Sequence, residues 1–365
     1  MEQVYTYYPW LAFLSAFAIT YFSIPAIIRL SMVKRLYDLP DHRKKHGERI
    51  SSLGGLAIFG GLLVSFIFFS AHLTNPTLSS VLVAIVILFV TGVKDDLYPL
   101  SPYKKVLGQL LSVAVVIFQG DVRLISMYGF FGIYDLPYFV SVALTTLFFL
   151  AIINSFNFID GINGLGSSIG IVVSATYAYW FHYLNEPLFL ILALSICGSQ
   201  LAFLPYNLVR AKIFMGDSGS LILGFFAALL TIYFLQANQR SAHALLLYVD
   251  AMMFALAVLI IPVIDTARVI FMRIFILRRS PFNADRNHIH HVLLDIGLSH
   301  LQATGILFTT NVFFIGLTYF LNDYLRARYL FILVIGLAIL LSQIPFYLKQ
   351  IKKKKGEYHP AQAPE

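Results

Sequence analysis

The sequence predicts an all-α, polytopic integral membrane protein of about eleven transmembrane helices, with the N-terminus outside, the C-terminus cytoplasmic and the polar chemistry at the cytoplasmic face. Three observations predict it. Of 365 residues, 59% are hydrophobic and 12% charged, and the mean hydropathy of +0.78 lies far above that of a soluble globular chain. Apolar runs near the length that crosses a bilayer recur about eleven times. If the first run enters from outside, only Arg123, Arg240, Arg326 and Arg328 of the 26 Lys and Arg fall outside, which is the asymmetry of the positive-inside rule.

The runs extend approximately from Trp10 to Leu30, Gly54 to His72, Leu78 to Val93, Val106 to Gln119, Leu136 to Ile153 and Gly166 to His182. They continue from Leu188 to Leu204, Ser218 to Leu235, Ala244 to Ile264, Leu301 to Leu321 and Tyr329 to Leu348. The first is long, and Arg29, Lys34 and Arg35 follow it, which marks a retained span in place of a cleaved signal. Residues 1–348 read as one transmembrane domain and 349–365 as a basic cytoplasmic tail. Lys352 to Lys355 suit a topology anchor touching anionic membrane lipids, so the net charge of +8 does not call for nucleic acid. The single Cys197 lies mid-span, where packing is its expected role. Outside, Asp121 to Pro137 reads as a short hairpin or an interfacial helix.

The polar clusters collect inside. The first inside loop carries Asp38, Asp41, Arg43, Lys44, Lys45, His46 and Arg49, followed by Gly54-Gly55; the second holds Asp95-Asp96 and Lys104-Lys105. Adjacent ionised carboxylates repel, so the pair is a solvated helix end, shares a proton, or faces a cation or basic group. In the third loop, Asn157 and Asp160 are three apart and share a face if helical, while Gly161 and Gly164 let backbone approach a ligand; a polar cap and turn would look the same. Asp217 stands in Gly216-Asp217-Ser218-Gly219 where an apolar run begins, a place for N-capping or for phosphate near a positive helix end. A hard divalent cation with one or two carboxylates and phosphate oxygens would complete such a set. His288, His290 and His291 beside Arg286 lack the i, i+4 spacing and the cysteine of a tetrahedral zinc site, and suit hydrogen bonds to phosphate or sugar oxygens. Asp265, deep in an apolar run, has Arg268 three residues on as its expected internal partner.

Taken in order, these motifs resemble the polyprenyl-phosphate N-acetylhexosamine-1-phosphate transferases, of glycosyltransferase family 4 type, over nearly the whole chain. Ser280-Pro281-Phe282 leading into Asp285-Arg286 and His288-Ile289-His290-His291 is similar to the branch that uses UDP-N-acetylglucosamine. The phospho-MurNAc-pentapeptide branch carries three consecutive histidines, which Ile289 interrupts here. The resemblance implies that undecaprenyl phosphate attacks the β-phosphate of UDP-N-acetylglucosamine, giving a lipid-linked sugar pyrophosphate and UMP in a bacterial cytoplasmic membrane. It implies Mg²⁺, or Mn²⁺ in its place, on Asp217, with Asp95 and Asp96 organising or deprotonating the lipid phosphate. Asp160, also catalytic, and Asn157 would line the nucleotide and diphosphate site. Arg286, His288, His290 and His291, with Lys44, His46, Lys104 and Lys105, would bind substrate. A homodimer is compatible with the resemblance.

Some positions depart from the family pattern. Asn163 and Ser51-Ser52 stand where many relatives have Asp and Pro, and Tyr103 stands where a Lys is first sought, which leaves Lys104 and Lys105 as alternatives for the basic group. Another UDP-N-acetylamino sugar or the muramyl-pentapeptide nucleotide is the competing substrate. An ion-coupled transporter using Asp265 and Arg268 is the competing class, although its determinants should lie near the midplane rather than in cytoplasmic acidic clusters.

Overall fold

A computed structural model describes residues 6–36, 50–130, 132–240, 250–276, 278 and 287–355. The helices, in chain order, are α1 Tyr8–Lys34, α2 Gly54–Ser70, α3 Pro76–Leu97, α4 Pro102–Phe118, α5 Tyr138–Ile159, α6 Leu165–Tyr183, α7 Pro187–Asn207 and α8 Gly216–Arg240. They continue with α9 Ala251–Val258, α10 Ile260–Phe271, α11 Ile289–Asp295, α12 His300–Leu321 and α13 Ala327–Lys354. Prolines open α3, α4 and α7, where a missing N–H costs nothing. Asn75 caps α3 by accepting the Thr77 N–H at 2.9 Å, and Ser299 with Gln302 forms a capping box at α12.

Every apolar run of the sequence is helical in its described part. Among the described residues, seven helices are long and apolar enough to cross a membrane: α1, α3, α5, α7, α8, α12 and α13. An eighth span exists if α9 and α10, bent by 75°, count as one. Pro262 explains the bend, because in the first turn of α10 it has no N–H to carry the α9 ladder across Leu259. The helices α2, α4 and α6 fall short in length or apolarity. The protein is thus a helical, multi-pass membrane protein.

Among the described residues the two strands, β1 Ser126–Phe130 and β2 Ile133–Asp135, form an antiparallel hairpin within the segment from Asp121 to Pro137. It rests on the far end of α8, where Tyr128 donates to the Leu235 carbonyl and Gln236 donates to the Asp121 and Arg123 carbonyls at 2.9 and 3.0 Å.

Helix α8 is the axis of the bundle. Its sequence is apolar around the whole circumference, and Ser218 to Ala237 are all buried. It packs on α2, α3, α5, α6 and α9. Two glycines set the closest approaches at its N-terminal end. A Cβ on Gly55 of α2 would fall 2.3 Å from the Gly219 nitrogen, and one on Gly92 of α3 would fall 2.5 Å from the Ser218 Cα. Small residues at such crossings let membrane helices touch backbone to backbone. The strand-like stretch before α8 is stitched to the start of α2: Phe214 N–H donates to the Ser51 carbonyl at 2.8 Å, and Gly54 and Gly55 N–H donate to the carbonyls of Phe214 and Met215 at 2.9 and 2.8 Å. These bonds satisfy helix-start donors of α2 and fix the point at which Asp217 emerges.

Candidate active site

The ends of α3, α4, α5 and α8 meet at one end of the bundle, joined there by the short α11. The helical rise of 1.5 Å per residue puts Asp217 roughly 30 Å from Gln236 and the hairpin, about the thickness of a bilayer's hydrocarbon core. The polar cluster and the hairpin therefore lie at opposite membrane edges.

Asp217, second residue of α8, is the hub. Its carboxylate accepts from Lys105 on α4 and from the Asn157 side-chain amide on α5. Asn157 also donates to the Ser220 hydroxyl at 2.9 Å, one turn along α8. Lys105 reaches a second carboxylate, Asp95, at 3.2 Å, and its Nζ lies 3.5 Å from the Asn157 side-chain oxygen. Asp95 is further held by the Leu100 N–H at 2.5 Å. One turn deeper, Gln109 and Asn154 exchange amide hydrogen bonds of 3.3 and 2.9 Å, which keeps α4 and α5 in the register that brings Lys105 to Asn157.

The two adjacent aspartates do different things. Asp96 points at the start of α8 and accepts the N–H groups of Asp217 and Ser218, at 2.6 and 3.0 Å. It is an N-cap supplied by another helix, with its negative charge at the positive end of the α8 dipole. Gly216, at φ +71°, supplies the left-handed turn that admits this contact; a Cβ there would lie 2.7 Å from the Asp96 carboxylate.

Asp160 closes α5 as its C-cap and its carboxylate lies against α6, 2.7 Å from where a Gly166 Cβ would be. Burial, reinforced by the charges of Asp217 and Asp96, pushes its carboxyl well above the usual carboxylate range. The turn that follows is pinned on both sides. Gly164 N–H donates to the Asn207 side chain at 2.6 Å, Asn163 N–H donates to His300 Nδ1 at 3.3 Å, and Thr304 donates to the Asn163 carbonyl at 2.9 Å. Asn163 therefore contributes backbone to the loop.

The histidines lie across this turn. His290 and His291 have ring centroids 4.2 Å apart, and a Cβ on Gly161 would be 2.7 Å from His290 Nε2 and 3.5 Å from His291 Cε1. His288 packs on Phe158, with centroids 5.5 Å apart. Asp265 corrects the sequence reading. Its partner is not Arg268 but the histidine loop: it lies 2.9 Å from His288 Nδ1 and accepts the Ile289 N–H at 2.7 Å. Arg268 instead donates to the Asn287 carbonyl at 2.7 Å and lies 3.3 Å over the Phe346 ring. The loop contacts supply what an i, i+3 neighbour on the same helix does not.

The structure thus brings Asp95, Asp96, Lys105, Asn157, Asp160, Asp217, His288, His290 and His291 to one end of the bundle. Lys104 is exposed, and Lys105 is the lysine that joins the cluster. Lys44, His46 and Arg286 lie outside the described residues. Gln109, Asn207 and His300 support the site and were not singled out from the sequence; Gln109 alone carried a signal, being an amide in an apolar run one helical turn from Lys105.

A membrane-embedded helical bundle with oxygen donors, a lysine and imidazoles gathered at one membrane edge defines a class: an enzyme of the bilayer surface acting on charged substrates. Residues 78–235 match the model of the family described as glycosyl transferase family 4. The chain is 33% identical over 301 residues to the probable undecaprenyl-phosphate N-acetylglucosaminyl 1-phosphate transferase of Bacillus subtilis, covering 80% of this chain and 78% of that one. It is 30% identical over 280 residues to the undecaprenyl-phosphate alpha-N-acetylglucosaminyl 1-phosphate transferase of Salmonella typhi, covering 73% and 71%. To the decaprenyl-phosphate N-acetylglucosaminephosphotransferase of Mycobacterium tuberculosis H37Rv it is 29% identical, covering 81% and 78%. This chain belongs to glycosyl transferase family 4.

Proposed function

We propose that this protein transfers N-acetylglucosamine 1-phosphate from UDP-N-acetylglucosamine to undecaprenyl phosphate, forming undecaprenyl-pyrophosphate-N-acetylglucosamine and UMP. The observation that carries the reading is the Asp95–Lys105–Asp217–Asn157 cluster at a membrane edge, in a chain 33% identical to a protein named for this transfer. A lipid phosphate and a water-soluble sugar nucleotide meet only at such an edge.

A divalent cation, Mg²⁺ or Mn²⁺, fits the donor set. Asp217, Asp95 and the Asn157 side-chain oxygen are hard oxygen donors, and the Lys105 ammonium marks where they stabilise positive charge. When bound, the cation would neutralise the diphosphate as charge develops on the departing UMP. Asp217 is its first ligand, and Asp96 holds Asp217 in place through two backbone bonds. Asp95 faces the lysine and is the carboxylate placed to orient the incoming phosphate. A phosphate monoester is largely ionised near neutral pH, so positioning and charge neutralisation carry more of the barrier than proton removal. Burial and the charges of Asp217 and Asp96 make Asp160 easier to protonate than an exposed aspartate, and once protonated it would donate a hydrogen bond to a nucleotide or phosphate oxygen.

Basic residues favour this edge, since Lys94, Lys104, Lys105, Arg268 and Arg273 stand at its helix ends. We therefore place it in the cytoplasm of a bacterium, with the hairpin and the N-terminus outside and an odd number of crossings, up to eleven. Nothing supports transport: Asp265, the buried charge a transporter would use, is tied to the histidine loop. Purified protein given Mg²⁺, undecaprenyl phosphate and labelled UDP-N-acetylglucosamine should yield labelled lipid and UMP in equal amounts. No labelled lipid from intact, correctly inserted protein would sink the proposal.

A further inference from the structure

Asp265 has no part in the steps above, yet it is among the most buried charged groups described, at 2% exposure within α10. A carboxylate at that depth persists only if its oxygens are occupied. Both are. Oδ1 accepts the Ile289 N–H at 2.7 Å, and Oδ2 lies 2.9 Å from His288 Nδ1 and 3.6 Å from His290 Nδ1. One side chain thus holds one imidazole and the backbone beside it by hydrogen bonds, and faces the second imidazole across a 3.6 Å charge contact.

An ionised carboxylate can only accept hydrogen bonds, so the ring nitrogens turned toward it carry the hydrogens. In a neutral imidazole the other nitrogen, Nε2, is then a bare acceptor. Burial holds His290 below the usual histidine range and favours that neutral ring. His290 is 1% exposed, its Nε2 is buried without a hydrogen-bond partner, and that atom faces Gly161 beside Asp160. Among the described residues nothing uses this acceptor, which marks it for a ligand.

We infer that Asp265 is a positioning residue, which fixes the His288–His290 turn through His288 and the Ile289 N–H and, by facing His290 Nδ1, favours the Nδ1–H tautomer there, so that His290 offers Nε2 as an acceptor to an O–H or N–H of the sugar nucleotide. The inference rests on the transferase reading for the identity of that ligand. A metal ion is the rival occupant, since one ligand atom each from Asp265, His288 and His290 lie within 4.8 Å of one another. Two features favour the hydrogen-bonded arrangement. Oδ1 is committed to a backbone N–H, and the described residues offer no fourth ligand for a tetrahedral site.

The test needs no variant at first. Full-length protein with ¹⁵N-labelled histidine, in detergent, should show His288 and His290 protonated on Nδ1 and His290 unprotonated on Nε2. An Nε2–H tautomer at His290, or one zinc per chain after purification, overturns the inference. Calorimetry with UDP-N-acetylglucosamine then tests the consequence. Asp265→Asn should weaken binding tenfold or more, His290→Ala should do the same, and the double variant should lose less than a further twofold. Wild-type affinity in Asp265→Asn, or losses that multiply in full, overturn it. Wild-type protein that forms no labelled lipid would instead refute the transferase reading, and the tautomer measurement would still decide the role of Asp265.

Discussion

The Lys105 ammonium is hydrogen-bonded to the Asp217 carboxylate across 112 residues of sequence, and the same ammonium lies 3.2 Å from Asp95. Without it, two carboxylates would face each other at a partly desolvated membrane edge. The lysine therefore does what a bound cation would do, and it sits on the carboxylates proposed above to hold one.

That sharing predicts competition. Replacing Lys105 by Gln removes one positive charge from the position between Asp95 and Asp217, so Mg²⁺ should bind more tightly. Thermal-shift titration should show half-maximal stabilisation at about tenfold lower Mg²⁺, equivalent to about 1.4 kcal/mol. Turnover should nevertheless fall by on the order of a hundredfold, because the substrate phosphates lose a positioned charge. Unchanged Mg²⁺ dependence would show that lysine and metal do not share ligands.

Asp96 is predicted to act through the backbone of α8. Asp96→Ala leaves the N–H groups of Asp217 and Ser218 unsatisfied and should cost about 0.5–2 kcal/mol, the range for removing an N-cap. Asp96→Asn keeps one good acceptor and should lose less than half as much. Reversible unfolding in mixed micelles measures both. Equal losses in the two variants would mean that charge, and not capping geometry, is what Asp96 supplies.

The helices were legible because a bilayer leaves an apolar run few alternatives: unpaired backbone groups are too costly in hydrocarbon. Gly216-Asp217-Ser218-Gly219 announced a helix start, and the carboxylates and amides announced a polar site. The sequence did not reveal which groups meet. Asp265 has a basic residue three positions away, and only the folded chain shows it turning to a loop more than twenty residues on. The two members of Asp95-Asp96 are indistinguishable in sequence, yet helical rotation sends one to Lys105 and the other to α8. Pro262 was the local sign of the break between α9 and α10, obscured by the uniform apolarity around it.

Gly92 should tolerate no side chain. An added Cβ would meet the Ser218 Cα at 2.5 Å, with backbone on both sides of the crossing. Gly92→Ala should cost about 1–3 kcal/mol, as overpacking does, and should lower turnover by displacing Asp217. Gly60→Ala in α2 is the control, since nothing lies within 4 Å of its added Cβ. Equal behaviour of the two variants in unfolding and turnover assays would contradict this helix crossing.

Asp160 gives a pH signature. Its carboxyl is raised in the folded protein by burial and by the charges of Asp217 and Asp96, so the fold binds its proton more tightly than the unfolded chain does. The stabilisation this gives is complete below the ordinary aspartate pKa, about 3.9, and is lost as pH rises through the raised folded value. In EDTA, the melting temperature of the wild type should fall with rising pH above about 4. Asp160→Asn, which resembles the protonated acid, should remove that part of the slope while leaving the acid side unchanged. Mg²⁺ should weaken the slope in the wild type, because a cation on Asp217 offsets the repulsion that raises Asp160. Parallel pH profiles for the two proteins would show that Asp160 is already ionised in the fold.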